Sequence, residues 1–238
     1  VLNRPCFLIE AVDADPVESF QPSSSERGSF WTVKIPTEQT NLVHRFENLG
    51  FHVVSTQVTL AHYAKTPLPE RTRTDVVNVQ MFARYDLVPA RLQHWPLIAY
   101  ENFRYSRFHL DPLIASSVAN RVKRNWAESH QQGKRGEALF LALDKAEQPI
   151  GFLITLESGT IDLVAVAEPA RGKGVGRALV TEFLYYYGND PFVPDAPGVT
   201  LTVSTQIANL PSLKLYQNLG FVPVSSRYVL HLHTGGQS

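Results

Sequence analysis

The spacing of apolar and polar residues predicts a succession of strands and helices along this 238-residue chain. Short apolar or alternating runs predict strands, and apolar residues three and four positions apart predict helices. The predicted strands cover residues 76–81, 138–143, 150–156, 161–166, 199–205 and 221–233, and the predicted helices cover residues 89–105, 112–130, 172–187 and 210–219. Three consecutive strands without an intervening helix predict a meander. The fold class is therefore α/β (α+β), with a mixed, mostly antiparallel central sheet flanked by helices.

An internal repeat and a breaker-rich segment predict the domain organisation. Residues 31–60 align with residues 201–230 without gaps and share nine identities, including the Asn-Leu-Gly-Phe sequences that begin at Asn48 and Asn218. Strand, helix, Gly-Phe corner and strand recur there in one order. Residues 65–75 contain two prolines and many polar residues, which is typical of a linker. We predict an N-terminal half-domain over 1–66, a linker over 67–75 and a main domain over 76–238, with the half-domain extending the sheet or shaping the acceptor side.

Composition excludes several classes of protein. The 22 basic and 22 acidic side chains cancel, so no bulk charge attracts nucleic acid or an anionic membrane, and an anion site must be local. The single cysteine, Cys6, cannot form an intrachain disulfide, and no apolar run is long enough to suggest a membrane span. No basic-then-apolar leader precedes the first predicted element. A cytoplasmic protein without nucleic-acid or membrane partners is the expectation, and an unpaired strand edge would permit a homodimer.

The segment Arg171-Gly172-Lys173-Gly174-Val175-Gly176 lies between a predicted strand and a predicted helix. The N-terminus of a helix presents backbone N–H groups without partners, together with a partial positive charge, and glycines let a phosphate approach the main chain. Arg171 and Lys173 add charged donors, and Arg177 lies one turn further on. This pattern predicts a phosphate-binding loop.

Other interpretations of the glycine loop are weaker. The dinucleotide fingerprint requires a third glycine three positions after its second, and the P-loop requires Gly-Lys followed by Ser or Thr, and neither spacing occurs here. A tight turn that caps an amphipathic helix would explain one glycine. It explains less well the alternate glycines flanked by cations.

The region from Val164 to Leu179 resembles the central motif of the GNAT acyltransferase family, an Arg or Gln followed by two residues, Gly, one residue, and Gly or Ala. The resemblance covers about residues 75–235 and implies the GNAT fold with acetyl-CoA as co-substrate and no metal. It also implies that the preceding strand pairs with the pantetheine amides of acyl-CoA. The cofactor-binding residues that it implies are Leu163, Val164, Ala165, Val166, Arg171, Gly172, Lys173, Gly174, Val175, Gly176, Arg177 and Asn209.

The resemblance extends to the sequence NLPSLKLYQNLGF, in which Tyr216 corresponds to a family tyrosine near the thioester sulfur. Acetyl transfer needs an unprotonated amine, stabilisation of an oxyanion and a proton for the departing thiolate. A phenol with a pKa of about 10 keeps its proton at neutral pH, which suits a general acid. Helical spacing alone would also make Tyr216 a core aromatic, and its counterpart in the repeat is Phe46, which lacks the hydroxyl.

The acceptor should lie near the segment Tyr105-Ser106-Arg107-Phe108-His109, between the two helices that precede the meander. We predict Tyr105, Arg107 and His109 as substrate-binding residues, although an ordinary helix connection would explain the same segment. No general base is evident, and the titratable candidates are His109, His94, Glu101 and Asp162. His231 and His233 share one face of a strand, where we expect a surface pair and no metal site.

The predicted function is transfer of an acetyl group from acetyl-CoA to a primary amine. The order of motifs is similar to that of family members that acetylate the 4-amine of a nucleotide-linked dideoxy sugar, so the predicted acceptor is a nucleotide-linked amino sugar. The alternatives are a peptide or polyamine acceptor, or an acyl-CoA-binding module without catalysis.

Overall fold

The computed structural model describes residues 5–10, 28–63, 66–71, 77–83, 86, 88–156, 159–188 and 200–235. The strands are β1 Cys6–Glu10, β2 Phe30–Pro36, β3 His52–Tyr63, β4 Asn78–Ala83, β5 Ala138–Leu143, β6 Pro149–Leu156, β7 Thr160–Val166, β8 Thr200–Gln206 and β9 Val222–His233. The helices are α1 Thr40–Asn48, α2 Pro96–Asn102, α3 Ser116–Gln131, α4 Val175–Gly188 and α5 Leu210–Gln217.

All nine strands form one sheet in the order β1-β2-β9-β3-β8-β7-β6-β5-β4. The β1–β2 and β7–β8 pairs are parallel, whereas the other neighbouring pairs are antiparallel. The sheet is therefore mixed and mostly antiparallel, as predicted. Strands β5 to β7 form the predicted meander, and β4 pairs with the outer side of β5. Strand β5 is buried along its whole length because apolar clusters cover both of its faces.

Element boundaries differ from the predictions mainly where proline occurs. The helix predicted over 89–105 is a 3-10 turn at residues 90–92 followed by α2, which begins at Pro96. Proline cannot donate the backbone hydrogen bond of a helix interior, so it favours the first helical position. Helix α3 likewise begins at Ser116, after Pro112. The segment 221–233 is one strand, β9, and β1 is a strand that the pattern did not predict.

The two repeated segments interleave in the sheet. Strand β9 lies between β2 and β3, and β3 lies between β9 and β8. Val33 of β2 faces Leu230 of β9. The residues that correspond to these two in the repeat, Val203 of β8 and Leu60 of β3, also face each other. The β2–α1–β3 and β8–α5–β9 segments are thus related by an approximate two-fold axis between β3 and β9. The boundaries at residues 66 and 76 remain predictions, but both segments contribute to one continuous sheet.

Buried side chains form cores that hold the site in place. One cluster joins α4 and α5 to the sheet through Leu179, Phe183 and Tyr216, among others. A second joins α2 and α3 to β5, β6 and β7 around Trp95 and Phe152, which pack at 4.8 Å between ring centroids. Burial of large aromatic side chains contributes about 1.5–3 kcal/mol each. Strand β7 therefore lies between two packed layers at the point where the glycine loop begins.

Candidate functional site

The glycine loop forms the start of α4. Gly172 and Gly174 have positive φ angles of 73° and 81°, a conformation that disfavours a side chain, and a Cβ at either position would meet nothing within 4 Å. No backbone carbonyl of the described residues accepts from the N–H groups of residues 172–176. Unused donors at a helix N-terminus and open space above two glycines fit an anion such as a pyrophosphate.

The cations beside this loop have different surroundings. The guanidinium of Arg171 donates to Val166 O at 3.2 Å and to both oxygens of Asn102, at 3.1 Å and 2.9 Å. Its side chain therefore joins the end of β7 to the end of α2. Arg171 and Arg177 line the cleft described below, whereas Lys173 is exposed and lies outside its lining. A role for Lys173 in binding stays a prediction.

Strand β7 has an open edge next to the glycine loop. It pairs with β6 along residues 160–166 but with β8 only at Thr160 and Ile161. A register shift in the β6–β7 pair places a bulge at Asp162, where the strand separates from β8. Ala167 N–H donates to Ile150 O on the β6 side, and successive N–H groups of a strand point in opposite directions. The N–H groups of Val164 and Val166 therefore point to the open edge, where they suit the amides of an extended ligand.

Tyr216 and Asn209 lie on α5, on the other side of this opening. Tyr216 is 2% exposed, packs against Phe221 and lines the cleft, and its hydroxyl has no hydrogen-bond partner among the described residues. Burial raises the pKa of Tyr216 well above its usual value, so the phenol keeps its proton.

Asn209 is the N-cap of α5, because its Oδ1 accepts from Ser212 N at 3.4 Å, and its amide donates to Thr205 at 3.2 Å. Its side chain thus caps α5, and because Asn209 also lines the cleft, its contact with the cofactor stays a prediction.

A cleft of about 550 Å³ connects these elements. Its wall includes the whole predicted strand segment Leu163–Val166, the glycine loop and Tyr216. The side chains of Leu163 and Ala165 themselves pack in the core with α2 and α3, so these two residues face the cleft mainly through backbone. A volume of this size is typical of sites for small molecules and cofactors.

The predicted acceptor segment forms one rim of the cleft only in part. Tyr105 and Ser106 line it, while Arg107 and His109 do not. His109 Nδ1 is 2.6 Å from Ser106 Oγ and its Nε2 is 2.8 Å from Asn120 Oδ1, so both ring nitrogens are occupied. Burial lowers the pKa of His109 and favours the neutral ring. These contacts favour a structural role that holds the segment against α3.

Arg107 lies behind this rim and is largely surrounded by protein. Its guanidinium packs over Phe108 at 4.7 Å from the ring centroid, and its buried Nε has no hydrogen-bond partner among the described residues. Burial lowers the pKa of Arg107, although an arginine remains charged at neutral pH.

Lys123 is a residue of the cleft that the sequence analysis missed. It is 7% exposed and lines the cleft, and its Nζ lies 5.0 Å and 4.3 Å from the ring centroids of Phe103 and Trp126. In the described structure the ammonium has no hydrogen-bond or ion-pair partner. Burial and the nearby Arg107 lower the pKa of Lys123 to about 7. The only sequence signal for its burial was its position on the apolar face of α3. That signal is weak, because a lysine is rarely buried without a partner.

The other base candidates differ in position. Asp162 lines the cleft at the bulge of β7, but Arg135 holds both of its oxygens, at 2.6 Å and 2.8 Å. His94 and Glu101 are exposed and do not line the cleft.

The expectation of a surface pair at His231 and His233 was wrong. His231 is 1% exposed and Asp111 is 3% exposed, and Asp111 Oδ2 lies 2.7 Å from His231 Nδ1 and 2.8 Å from His233 Nε2. Three groups that could bind a metal thus meet, and hydrogen bonds with Asp111 occupy His231 Nδ1 and His233 Nε2. The expectation failed because the segment before α3 covers this part of β9, which the strand alone could not reveal.

Comparison with known proteins identifies the domain that carries this cleft. Residues 135–223 match the family model of the acetyltransferase (GNAT) domain. The matched residues include the open strand β7, the glycine loop, α4 and α5. The match supports the predicted resemblance to the GNAT family over these residues, and GNAT acetyltransferases use acetyl-CoA as co-substrate.

Solved structures share the fold over nearly the whole chain. A GCN5-related N-acetyltransferase from Sphaerobacter thermophilus is 15% identical, with a TM-score of 0.59 over 91% of this chain and 64% of its own. A tandem GNAT protein from the clavulanic acid biosynthesis pathway is 13% identical, with a TM-score of 0.57 over 88% of this chain and 65% of its own. These similarities confirm the predicted GNAT fold.

One curated relative is the spore coat polysaccharide biosynthesis protein SpsD of Bacillus subtilis (strain 168). It is 25% identical over 144 residues, which are 59% of this chain and 47% of that protein. The matched region thus spans about half the length of the relative. Among the described residues, no helix has the length and apolar content needed to cross a membrane.

Proposed function

We propose that this chain transfers the acetyl group of acetyl-CoA to a primary amine, by direct attack of the amine on the thioester. The observation that carries the proposal is one cleft in which the glycine loop, the open edge of β7 and the hydroxyl of Tyr216 meet. The family match over residues 135–223 supports the same reaction.

Each part of the cleft has a task in this mechanism. The N–H groups of the glycine loop bind the pyrophosphate of acetyl-CoA, and the open edge of β7 binds its pantetheine amides. An N–H group near Val166 donates to the thioester oxygen as negative charge develops there. The C–N bond forms first and gives a tetrahedral oxyanion, whose collapse breaks the C–S bond as Tyr216 gives its proton to the departing sulfur. The amine loses its own proton to water or to a nearby base.

We propose a nucleotide-linked amino sugar as the acceptor. The order of motifs resembles dTDP-fucosamine acetyltransferase, and the name of the Bacillus relative refers to polysaccharide biosynthesis. Arg104 lines the cleft and lies 3.6 Å from the exposed carboxylate of Glu168, and Arg107 lies nearby. These two cations favour an anionic acceptor over a polyamine, which would need acidic side chains. The proposal also includes a cytoplasmic location and a homodimer formed through a strand edge.

The test is the release of coenzyme A from acetyl-CoA with three acceptor sets in parallel. These are 4-amino-4,6-dideoxy sugar nucleotides, free amino sugars with polyamines, and peptides. Release with sugar nucleotides alone, with a product heavier by one acetyl group, supports both parts of the proposal. Release with peptides or polyamines rejects the acceptor but keeps the reaction. Binding of acetyl-CoA without release in any set favours the module without catalysis.

A further inference from the structure

A polar row crosses the sheet from the cleft to the N-terminal strands. Residues that face each other across paired strands point to the same side of a sheet. Gln206 of β8 faces Gln57 of β3, Gln57 faces Arg227 of β9, and Arg227 faces Pro36 of β2. Lys34 lies two positions before Pro36 and shares its face. Gln206 lines the cleft, so the row leads from the cleft to Lys34.

Several cationic side chains gather on this side of the sheet. The positive charges of Arg107 and Arg227 act on Lys34, and those of Arg107 and Lys34 act on Lys123. Burial, reinforced by these charges, lowers the pKa of Lys34 to about 8. Within the described part of the chain, neither Lys34 nor Lys123 forms an ion pair within 4.0 Å. The nearby carboxylate of Asp162 is held by Arg135 in a bidentate pair.

Such an arrangement is unfavourable in the absence of an anion. Desolvated cations cost free energy unless they are paired, and like charges close together add to that cost. Lys123 is enclosed by two aromatic rings that stabilise an ammonium but offer it no acceptor, and the buried Nε of Arg107 also lacks one. Both groups retain donors that charge-assisted hydrogen bonds to a phosphate would use.

We propose that Lys123, Arg107 and Lys34 form a cationic subsite that binds the diphosphate group of the acceptor. The inference rests on the proposed function and specifies its substrate class. Strand β2 lies three strands from β8, which is about 14 Å at the usual strand spacing, so the sheet offers room for an elongated acceptor. Lys34 belongs to the N-terminal region, which therefore contributes directly to acceptor binding.

The first experiment measures binding without turnover. The full chain is saturated with coenzyme A, which occupies the glycine loop, and is then titrated calorimetrically with thymidine diphosphate or with thymidine. We expect saturable binding of the diphosphate and at least tenfold weaker binding of thymidine. Lys123→Met and Lys34→Met should each weaken binding of the diphosphate about tenfold, because each removes a charge-assisted bond. The exposed Lys145→Met is the matched control and should change nothing.

The second experiment follows protons. At pH 7.5 a lysine with a pKa of about 7 is mostly neutral, so binding an anion should draw a proton onto Lys123. Calorimetry in two buffers of different ionisation enthalpy measures that uptake. The affinity for the diphosphate should fall from pH 7.2 to 9, because Lys123 loses its proton while the diphosphate keeps its charge. Lys123→Arg should keep the affinity and lose most of the uptake. The residual uptake comes from Lys34, while the guanidinium groups of Arg107 and Arg135 keep their charges in this range.

Several outcomes would overturn the subsite. These are binding of coenzyme A without binding of the diphosphate, equal affinity for thymidine, or unchanged affinity in both methionine variants. Unaltered proton uptake in Lys123→Arg would also overturn the subsite. If Lys123→Met does not fold, Lys123→Arg and Lys34→Met still test the proposal. Failure to bind coenzyme A at all rejects the proposed function itself and is a separate result.

Discussion

The hydroxyl of Tyr216 is the side-chain group on which the proposed chemistry most depends. We expect Tyr216→Phe to lower kcat about 100-fold, a typical contribution of general acid catalysis, because the thiolate must then leave without that proton. Affinity for acetyl-CoA should stay within about threefold, since the phenyl ring still packs against Phe221. Steady-state kinetics and calorimetry measure the two effects. The exposed Tyr63→Phe is the control, and turnover within a few-fold of wild type would reject the assignment.

Gly174 allows conformational strain and cofactor binding to be measured separately. Its φ of 81° strains any side chain by about 1–2 kcal/mol, and a Cβ there would occupy the open space above the loop. Gly28 has a φ of 82° and equally open surroundings, but it lies next to β2. We expect Gly174→Ala and Gly28→Ala to lower the free energy of unfolding similarly. Only Gly174→Ala should weaken acetyl-CoA binding, by about tenfold. Equal affinities in calorimetry would argue against a phosphate at this loop.

The two related helices α1 and α5 differ at the positions that matter for the site. Asn209 caps α5 with its side chain, whereas Gln39 precedes α1 without such a bond. Tyr216 of α5 lines the cleft, whereas its counterpart Phe46 of α1 is buried in a separate core cluster. Strand, helix and strand are thus retained in the N-terminal segment, while a cap and a hydroxyl are present only in the C-terminal one. This pattern fits a cofactor site beside α5, as proposed, and not beside α1.

Asp111 connects the segment before α3 to strand β9. Burial alone would raise its pKa, but hydrogen bonds with His231, His233 and Leu113 N–H lower the pKa well below the usual value. We expect Asp111→Asn to lower the free energy of unfolding by about 1.5–3 kcal/mol at pH 7.5, because an amide oxygen accepts weaker hydrogen bonds from the two histidines than a carboxylate does. Urea denaturation measures the change. The exposed Glu47→Gln, which breaks a pair with His44, should cost less than about 1 kcal/mol.

The same cluster predicts how stability depends on pH. Burial lowers the pKa of His231, so the unfolded chain takes up a proton more readily than the folded chain as pH falls below about 6.5. The hydrogen bonds that lower the pKa of Asp111 stabilise the folded chain above about pH 4, where the carboxylate is ionised. This stabilisation is lost as falling pH protonates the carboxylate. The free energy of unfolding should therefore fall from pH 7 to 5 and further below pH 4. Asp111→Asn should flatten the second fall. An unchanged profile would show that the cluster is not linked to folding.

At the scale of the whole molecule, the N-terminal segment completes the sheet. Both neighbours of β9 belong to residues 1–66, and β8 pairs with β7 at only two positions. We expect residues 76–238 alone to lack a stable monomeric fold, because β8 and β9 would expose their edges. Circular dichroism and sedimentation measure this, and co-expression of residues 1–75 as a separate chain should restore the fold. A soluble monomer of 76–238 with a cooperative thermal transition would contradict the prediction.

Local sequence signals were sufficient to predict the elements nearest the proposed cofactor site. The strand over 161–166, the glycine loop and the helix that begins near Gly172 follow from short-range periodicity and backbone chemistry, and the family match covers them. Proline positions near residues 89–96 and 112 were less well interpreted, because a helix boundary depends on which hydrogen bonds remain available. The repeat in the sequence indicated two related segments, but not that their strands alternate within one sheet.

The sequence by itself determined the fold class, the order of elements and the glycine loop, because each depends on residues close together in the chain. Only the tertiary structure showed that Lys123 lies in the cleft near Lys34 and Arg107, or that Asp111 joins His231 and His233. These groups are separated by up to about 120 residues, and their burial and charge interactions arise only when α3, β2 and β9 pack together. Burial and long-range electrostatics are properties of that packing, and no local pattern contains them.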